Sequence, residues 1–162
     1  MKRRKLTARN ADINRLYEES VQCTEFEVSF INKLFKRYNK TKCKSLREDF
    51  CASALISSEW VRDNKDNIAI AVDLDRTMIK EAKKTALSRL SSEQQKRIKI
   101  CYGDSSKFNT DKVDCILATN FSYFVFKQRK KLIDYFKHAH KQLKNRGIFM
   151  LDAFGGYEAH QL

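Results

Sequence analysis

The stretch IAIAVDLD, residues 68–75, is a run of β-branched and small apolar residues that closes on two aspartates. Hydrophobicity this continuous suits a strand buried on both faces of a parallel sheet. Asp75 stands where a helix cap is needed. Met78, Ile79, Ala82, Ala86, Leu87 and Leu90 follow at the spacing of a helix inner face. Downstream, RIKICYGD (97–104), VDCILATN (113–120) and IFMLDAF (148–154) repeat the strand pattern, each apolar run reaching polar residues near its end. Between the last two, residues 127–144 place Leu132, Phe136, Ala139 and Leu143 on one stripe. Asn145, Arg146 and Gly147 should stop that helix. Upstream, LREDF (46–50) reads as a further strand. A helix over 25–38 precedes it, with Phe26, Phe30, Ile31, Leu34, Phe35 and Tyr38 on one face, and a shorter helical piece covers 14–21.

Strands alternating with helices predict right-handed crossovers and an α/β fold: a doubly wound, mainly parallel, Rossmann-like sheet with N-terminal helices. The 162 residues divide into a basic tail over 1–10 and a single domain over 11–162. Proline is absent and glycine numbers four, so no linker or second-domain boundary is visible. No apolar run approaches the ~20 residues of a membrane span, so no membrane partner is expected. The five cysteines form no CxxC and have no matching histidine spacing, which argues against a disulfide framework and against zinc. A cytoplasmic location is the default expectation. The net charge of +13 is concentrated in the two downstream helical segments, where basic residues alternate with apolar ones. This reads first as solvated helix faces, with a nucleic-acid surface as the weaker alternative.

In a doubly wound sheet, ligands bind outside the carboxyl ends of the strands, where strand order reverses. The polar residues collect at those ends: Glu48 and Asp49, Asp73 and Asp75, Asp104, Asn120 and Asp152. Asp73 follows Ala52 by 21 residues, close to the ~20 that separate a phosphate-turn glycine from a ribose-binding acid. Asp104 is placed to accept from an exocyclic amine such as that of adenine. A pyrophosphate fits poorly, because GxGxxG is missing and Glu48 and Asp49 would repel it. The same carboxylates suit a ligand that carries an ammonium or sulfonium group.

YEESVQ (17–22), SLREDFC (45–51), AVDLD (71–75), ATNFSYFVFKQR (118–129) and LDAFGGYEA (151–159) resemble, in order, the signatures of a class I S-adenosylmethionine-dependent methyltransferase family of the LREDFCGT type. The resemblance implies S-adenosyl-L-methionine as cofactor and a methyl acceptor that the sequence does not identify. It implies Glu48, Asp49 and Cys51 at the cofactor's methionine end, with Ala52 to Ala54 forming the turn. Asp73 would hold the ribose, Leu74 would pack on the adenine, and Asp104 and Ser105 would flank the adenine amine. Asn120, with Phe121 to Tyr123, would sit where the cofactor's methyl group meets the acceptor, Asn120 touching the cofactor and orienting the acceptor and Tyr123 serving as a wall or hydroxyl contact. Tyr17 and Gln22 would belong to a helical lid. Two departures stand out. Ala52 and Ser53 replace the family's glycine and threonine. The sequence also ends soon after Gly155 and Gly156, where members of the family continue into further strands. The 148–154 strand would then be an edge open to association. The rival reading is a methyltransferase fold without turnover, a binding module that meets nucleic acid through its basic surface.

Overall fold

The computed structural model describes residues 23–156. The basic tail, the helical piece over 14–21, Tyr17 and Gln22 lie outside the described residues. Within them, α1 (Thr24–Asn39) leads into β1 (Ser45–Asp49), α2 (Leu55–Asp63), β2 (Ile68–Asp73) and α3 (Arg76–Thr85). A single-turn α4 (Ser92–Gln95) precedes β3 (Ile98–Tyr102). Then come β4 (Val113–Ala118), α5 (Arg129–Gln142) and β5 (Leu143–Leu151). All four strand pairings are parallel, in the order β3-β2-β1-β4-β5. The doubly wound sheet expected from the sequence is therefore present. Its order reverses between β1 and β4, where Leu46 lies beside Ala69 on one side and Cys115 on the other.

One face of the sheet carries Leu46, Ala69, Ala71, Ile98, Ile100, Cys115 and Leu117 against α1, α2 and α3. Trp60 of α2 is fully enclosed there. Arg97 locks the end of α2 from outside, its guanidinium donating to the carbonyls of Val61, Asn64 and Asn67. The other face packs Ile116 with Ala139 of α5, together with Ile70 and Phe149. Asp75 caps α3 as expected, accepting from the Thr77 and Met78 amides. Asp114 clips the start of β1 to β4, one oxygen taking the Lys44 amide and both the amide and hydroxyl of Ser45.

Three local expectations change. The buried stripe of α1 is Val28, Ile31 and Phe35, spaced i, i+3, i+7, whereas Phe26, Phe30 and Tyr38 are exposed. The apolar arc of this helix is wider than the surface it covers, so Phe26 and Phe30 stack on each other instead, 6.0 Å apart and nearly parallel. The expected long helix after Asp75 ends at Thr85 and passes through a 3-10 turn (Leu87–Arg89), and Ser91 and Gln94 then close a capping box that starts α4. Finally, α5 stops at Gln142 and Leu143 already pairs with Val113, while the next pairing is Cys115 with Ile148. The irregularity absorbs the intervening residues, with Arg146 at φ 63° making the bend in place of Gly147. Among the described residues β5 pairs only with β4 and forms an edge of the sheet.

Candidate functional site

The turn between β1 and α2 alternates left-handed and ordinary residues: Phe50, Ala52 and Ala54 have φ of 56°, 44° and 56°. None is glycine, and each such L-residue stores roughly 1–2 kcal/mol of strain. The turn holds because its amides are taken up. Cys51 donates to the Val72 carbonyl (3.1 Å) and Ala54 to the Cys51 carbonyl (2.7 Å). Ala52 donates to Asp73 Oδ2 (2.8 Å) and Phe50 to Ser105 Oγ (3.3 Å). Alanine at position 52 thus leaves the turn formed and tied to β2.

Strand alternation separates the two carboxylates of β1. Glu48 faces α2, and its Oε2 takes both the amide (2.8 Å) and hydroxyl (2.6 Å) of Ser57. It thereby caps a helix whose own N-cap, Ala54, has no side-chain acceptor. Burial pushes its pKa up to about 7 against the pull of the Ser57 bonds, and the nearby Glu27 and Asp73 carboxylates push it the same way. Asp49 faces the opposite side, where Oδ1 accepts from Arg47 Nε (2.7 Å) and Oδ2 from the Tyr135 hydroxyl (2.9 Å). Arg47 also donates to the carbonyls of Ser105 and Phe108. Asp49 therefore belongs to a fully buried ion pair that anchors the β3–β4 loop, away from Glu48. Cys51 is buried too, and burial next to Glu48 and Asp73 raises its thiol far above the ordinary range.

At the end of β2, Asp73 is half-buried and also accepts the Asp75 amide on Oδ1 (2.8 Å). Leu74 beside it is 61% exposed, an apolar side chain standing at the strand tip. Asp104 is partly exposed and binds the Ser106 amide and hydroxyl. Burial raises its carboxyl, but those bonds and Lys107 outweigh it and hold the group below its usual value. Ser105 turns inward to the β1 turn and to Arg47, so of this pair only Asp104 faces out. Gly103 is required by packing, since a Cβ there would collide with the Phe108 ring.

Past β4, Asn120 and Phe121 are both left-handed, with φ of 58° and 55°. Asp152, just beyond β5, takes their two amides at 2.7 and 2.9 Å. The Phe121 ring meets Phe154 edge-on at 5.9 Å. Tyr123 packs on Phe124 at 4.9 Å and on Phe136 at 6.1 Å. One participant has no sequence signal at all. Glu27 of α1 is half-buried, and no described residue hydrogen-bonds its sequestered Oε2. Burial and the Asp152 carboxylate raise its pKa. Glu27, Glu48, Asp73 and Asp152 therefore form a mutually repelling set around the β1/β4 reversal. None of the four is in an ion pair among the described residues. Such a site favours a ligand with positive charge. No group of three or more metal-ligating side chains is found among the described residues, and none of their helices is long and apolar enough to cross a membrane.

Solved structures share this fold. An S-adenosylmethionine-dependent methyltransferase from Clostridium acetobutylicum matches with TM-score 0.70 and 21% identity, over 85% of this chain and 55% of that one. An amino pentose methyltransferase from Micromonospora echinaspora, solved with S-adenosylmethionine bound, matches with TM-score 0.71 and 11% identity, over 98% and 61%. A sugar N-methyltransferase from Streptoalloteichus gives 0.70 and 14%, over 95% and 58%. The fold is the methyltransferase fold. The chain spans 55–61% of the length of these three methyltransferases. No protein-family model matches it, and no curated protein matches it in sequence.

Proposed function

We propose that the chain is an S-adenosylmethionine-dependent methyltransferase whose cofactor binds at the carboxyl edge, over the β1/β4 reversal. The observation that carries this reading is the ring of carboxylates without ion pairs, Glu27, Glu48, Asp73 and Asp152, at the ligand edge of a methyltransferase fold. Bound there, S-adenosylmethionine supplies a methyl group made electrophilic by its sulfonium. Asp73 keeps lone pairs on both oxygens after accepting the Ala52 and Asp75 amides, so it can also accept from the ribose hydroxyls. The exposed Leu74 offers an apolar surface to the adenine, and Asp104 an acceptor to its amine. Glu48 and Glu27 favour the cationic methionine end. Asn120 and Tyr123 stand on the β4 side, where an acceptor enters. Alignment of acceptor and methyl carbon is the main task of the protein in such a displacement, so no obligatory base is assigned.

Isothermal titration of S-adenosylmethionine into the full chain tests the reading. Saturable binding is expected, weakened about 10- to 100-fold by Asp73→Ala, the range of one charge-assisted hydrogen bond. No binding at millimolar cofactor by a cooperatively melting protein would refute it. The rival inactive module has no geometric support from position 52, because Ala52 still delivers its amide to Asp73.

A further inference from the structure

The carboxyl edge uses little of the +13 charge. At the opposite, amino edge of the sheet lies a cleft of about 760 Å³ lined by Lys112, His140, Lys141, Lys144, Asn145 and Arg146. These residues come from three separate places: the approach to β4, the last turn of α5, and the irregular start of β5. We propose that this cleft, continued by the lysine stripe of α5, binds the phosphate backbone of a nucleic acid.

Two of the cations are committed to the fold. Lys144 pairs with Asp114 at 3.0 Å, and Arg146 donates to the Tyr38 carbonyl at 2.8 Å. Lys112 and Lys141 are exposed and, among the described residues, neither is in an ion pair. From Lys141 the positive surface runs back along α5 through Lys137 to Lys130, all exposed, at spacings of four and seven residues that keep them on one stripe. Asp134 is the single acid on that stripe. At ~1.5 Å per residue the stripe is ~16 Å long, about the axial rise of five phosphates on one duplex strand.

Compensation of the helix dipole accounts for cations in the last turn of α5 only. It does not account for Lys130 and Lys137, or for Lys112 on another element. A concave cleft that opens onto a straight row of cations also fits evenly spaced phosphates better than a flat lipid surface. At Lys112 and Lys141 this inference stands apart from the cofactor reading, because the cleft lies at the amino edge, whereas the Lys130 end of the stripe approaches the carboxyl edge, where Lys131 and Asp134 share a cavity with Asp104.

Fluorescence anisotropy with a labelled mixed-sequence RNA, a matched DNA duplex and the full chain tests it across a salt series. Binding should weaken with salt with a log–log slope of about −2 or steeper on single-stranded RNA, as for roughly three neutralised phosphates. The Lys112→Gln/Lys141→Gln pair should weaken binding about tenfold or more and flatten that slope by about one unit or more. Removing the same charge from α3 on the other face, Lys83→Gln/Lys84→Gln, should change affinity by less than about twofold, with melting and cofactor titrations unchanged for both pairs. The RNA and duplex arms show which form the cleft prefers. The proposal is overturned by salt-independent or undetectable binding, by equal loss in the two pairs, or by anionic vesicles that compete at lower concentration than RNA in a Lys112- and Lys141-dependent way.

Discussion

Replacing Ala52 with glycine should stabilise the protein. Ala52 sits at φ 44°, where a Cβ crowds the following carbonyl and costs roughly 1–2 kcal/mol. Glycine removes that strain but gives the unfolded chain more freedom, which returns about 0.4–1 kcal/mol. The net gain is about 0.5–1 kcal/mol, or ~1–4 °C in melting temperature for a chain of this length. Ala52 is only half-buried, so little packing is lost with its methyl group. Ala54 shares the left-handed backbone but is fully buried. There the lost contacts, about 0.8 kcal/mol for one carbon, cancel most of the relief. Ala52→Val should move the other way by at least ~1 kcal/mol, since a β-branched side chain tolerates this region worst. Differential scanning calorimetry on the three variants reads all of this directly. If Ala52→Gly melts at or below the parent temperature, the turn is not held left-handed at position 52 and the reasoning fails. Cofactor titration of the same samples separates two effects of the alanine: tighter binding by the glycine variant assigns part of its cost to crowding of the ligand, and unchanged affinity assigns all of it to the backbone.

Glu48 should make stability fall as pH rises. Its folded pKa, about 7, lies above the ordinary 4.5, so between these values the native state holds more protons than the unfolded one. The contribution is full below about 4.5 and is lost through about 7. Melting curves of Glu48→Gln, which keeps an oxygen for Ser57, should show a shallower falling limb, with the raised Glu27 carboxyl keeping its own share. Parallel pH profiles for the two proteins would show that the carboxyl is not the source. Gly103→Ala should cost about 1–3 kcal/mol through the collision with Phe108. It should also weaken cofactor binding, because Phe108 and Ser105 are the loop residues that Arg47 holds. Chemical denaturation and calorimetry check the two effects separately, and an unperturbed variant would contradict the packing described at Gly103.

Much of the architecture is local in origin and was legible for that reason. Apolar runs such as 68–72 and 113–118 announce parallel strands, although Ile68 at the start of β2 is exposed and the strand is not buried throughout. Rows at the helical period announce helices, and Asp73, Asp104 and Asn120 fall at strand ends because each run stops there. That placed the Asp75 cap and gathered the polar strand ends at one edge of the sheet, whereas the hydrogen bond from the Ala52 amide to Asp73 is visible only in the fold. What the sequence could not settle depends on which face a side chain takes and on what waits there. Glu48 and Asp49 are adjacent in sequence, yet the pleat sends one to Ser57 and the other to Arg47 and Tyr135, 86 residues away. Phe26 and Phe30 match the helical period as well as Val28 does, and only the width of the surface under α1 decides which are buried. Glu27 enters the carboxylate set through the docking of α1, and Lys112 meets Lys141 through the pairing of β4 with β5. Sequence periodicity reports the turn or pleat a residue belongs to. The charge clusters at the two edges of the sheet draw on elements brought together across the chain, and packing determines which side chains, such as Glu27 and Lys112, join them.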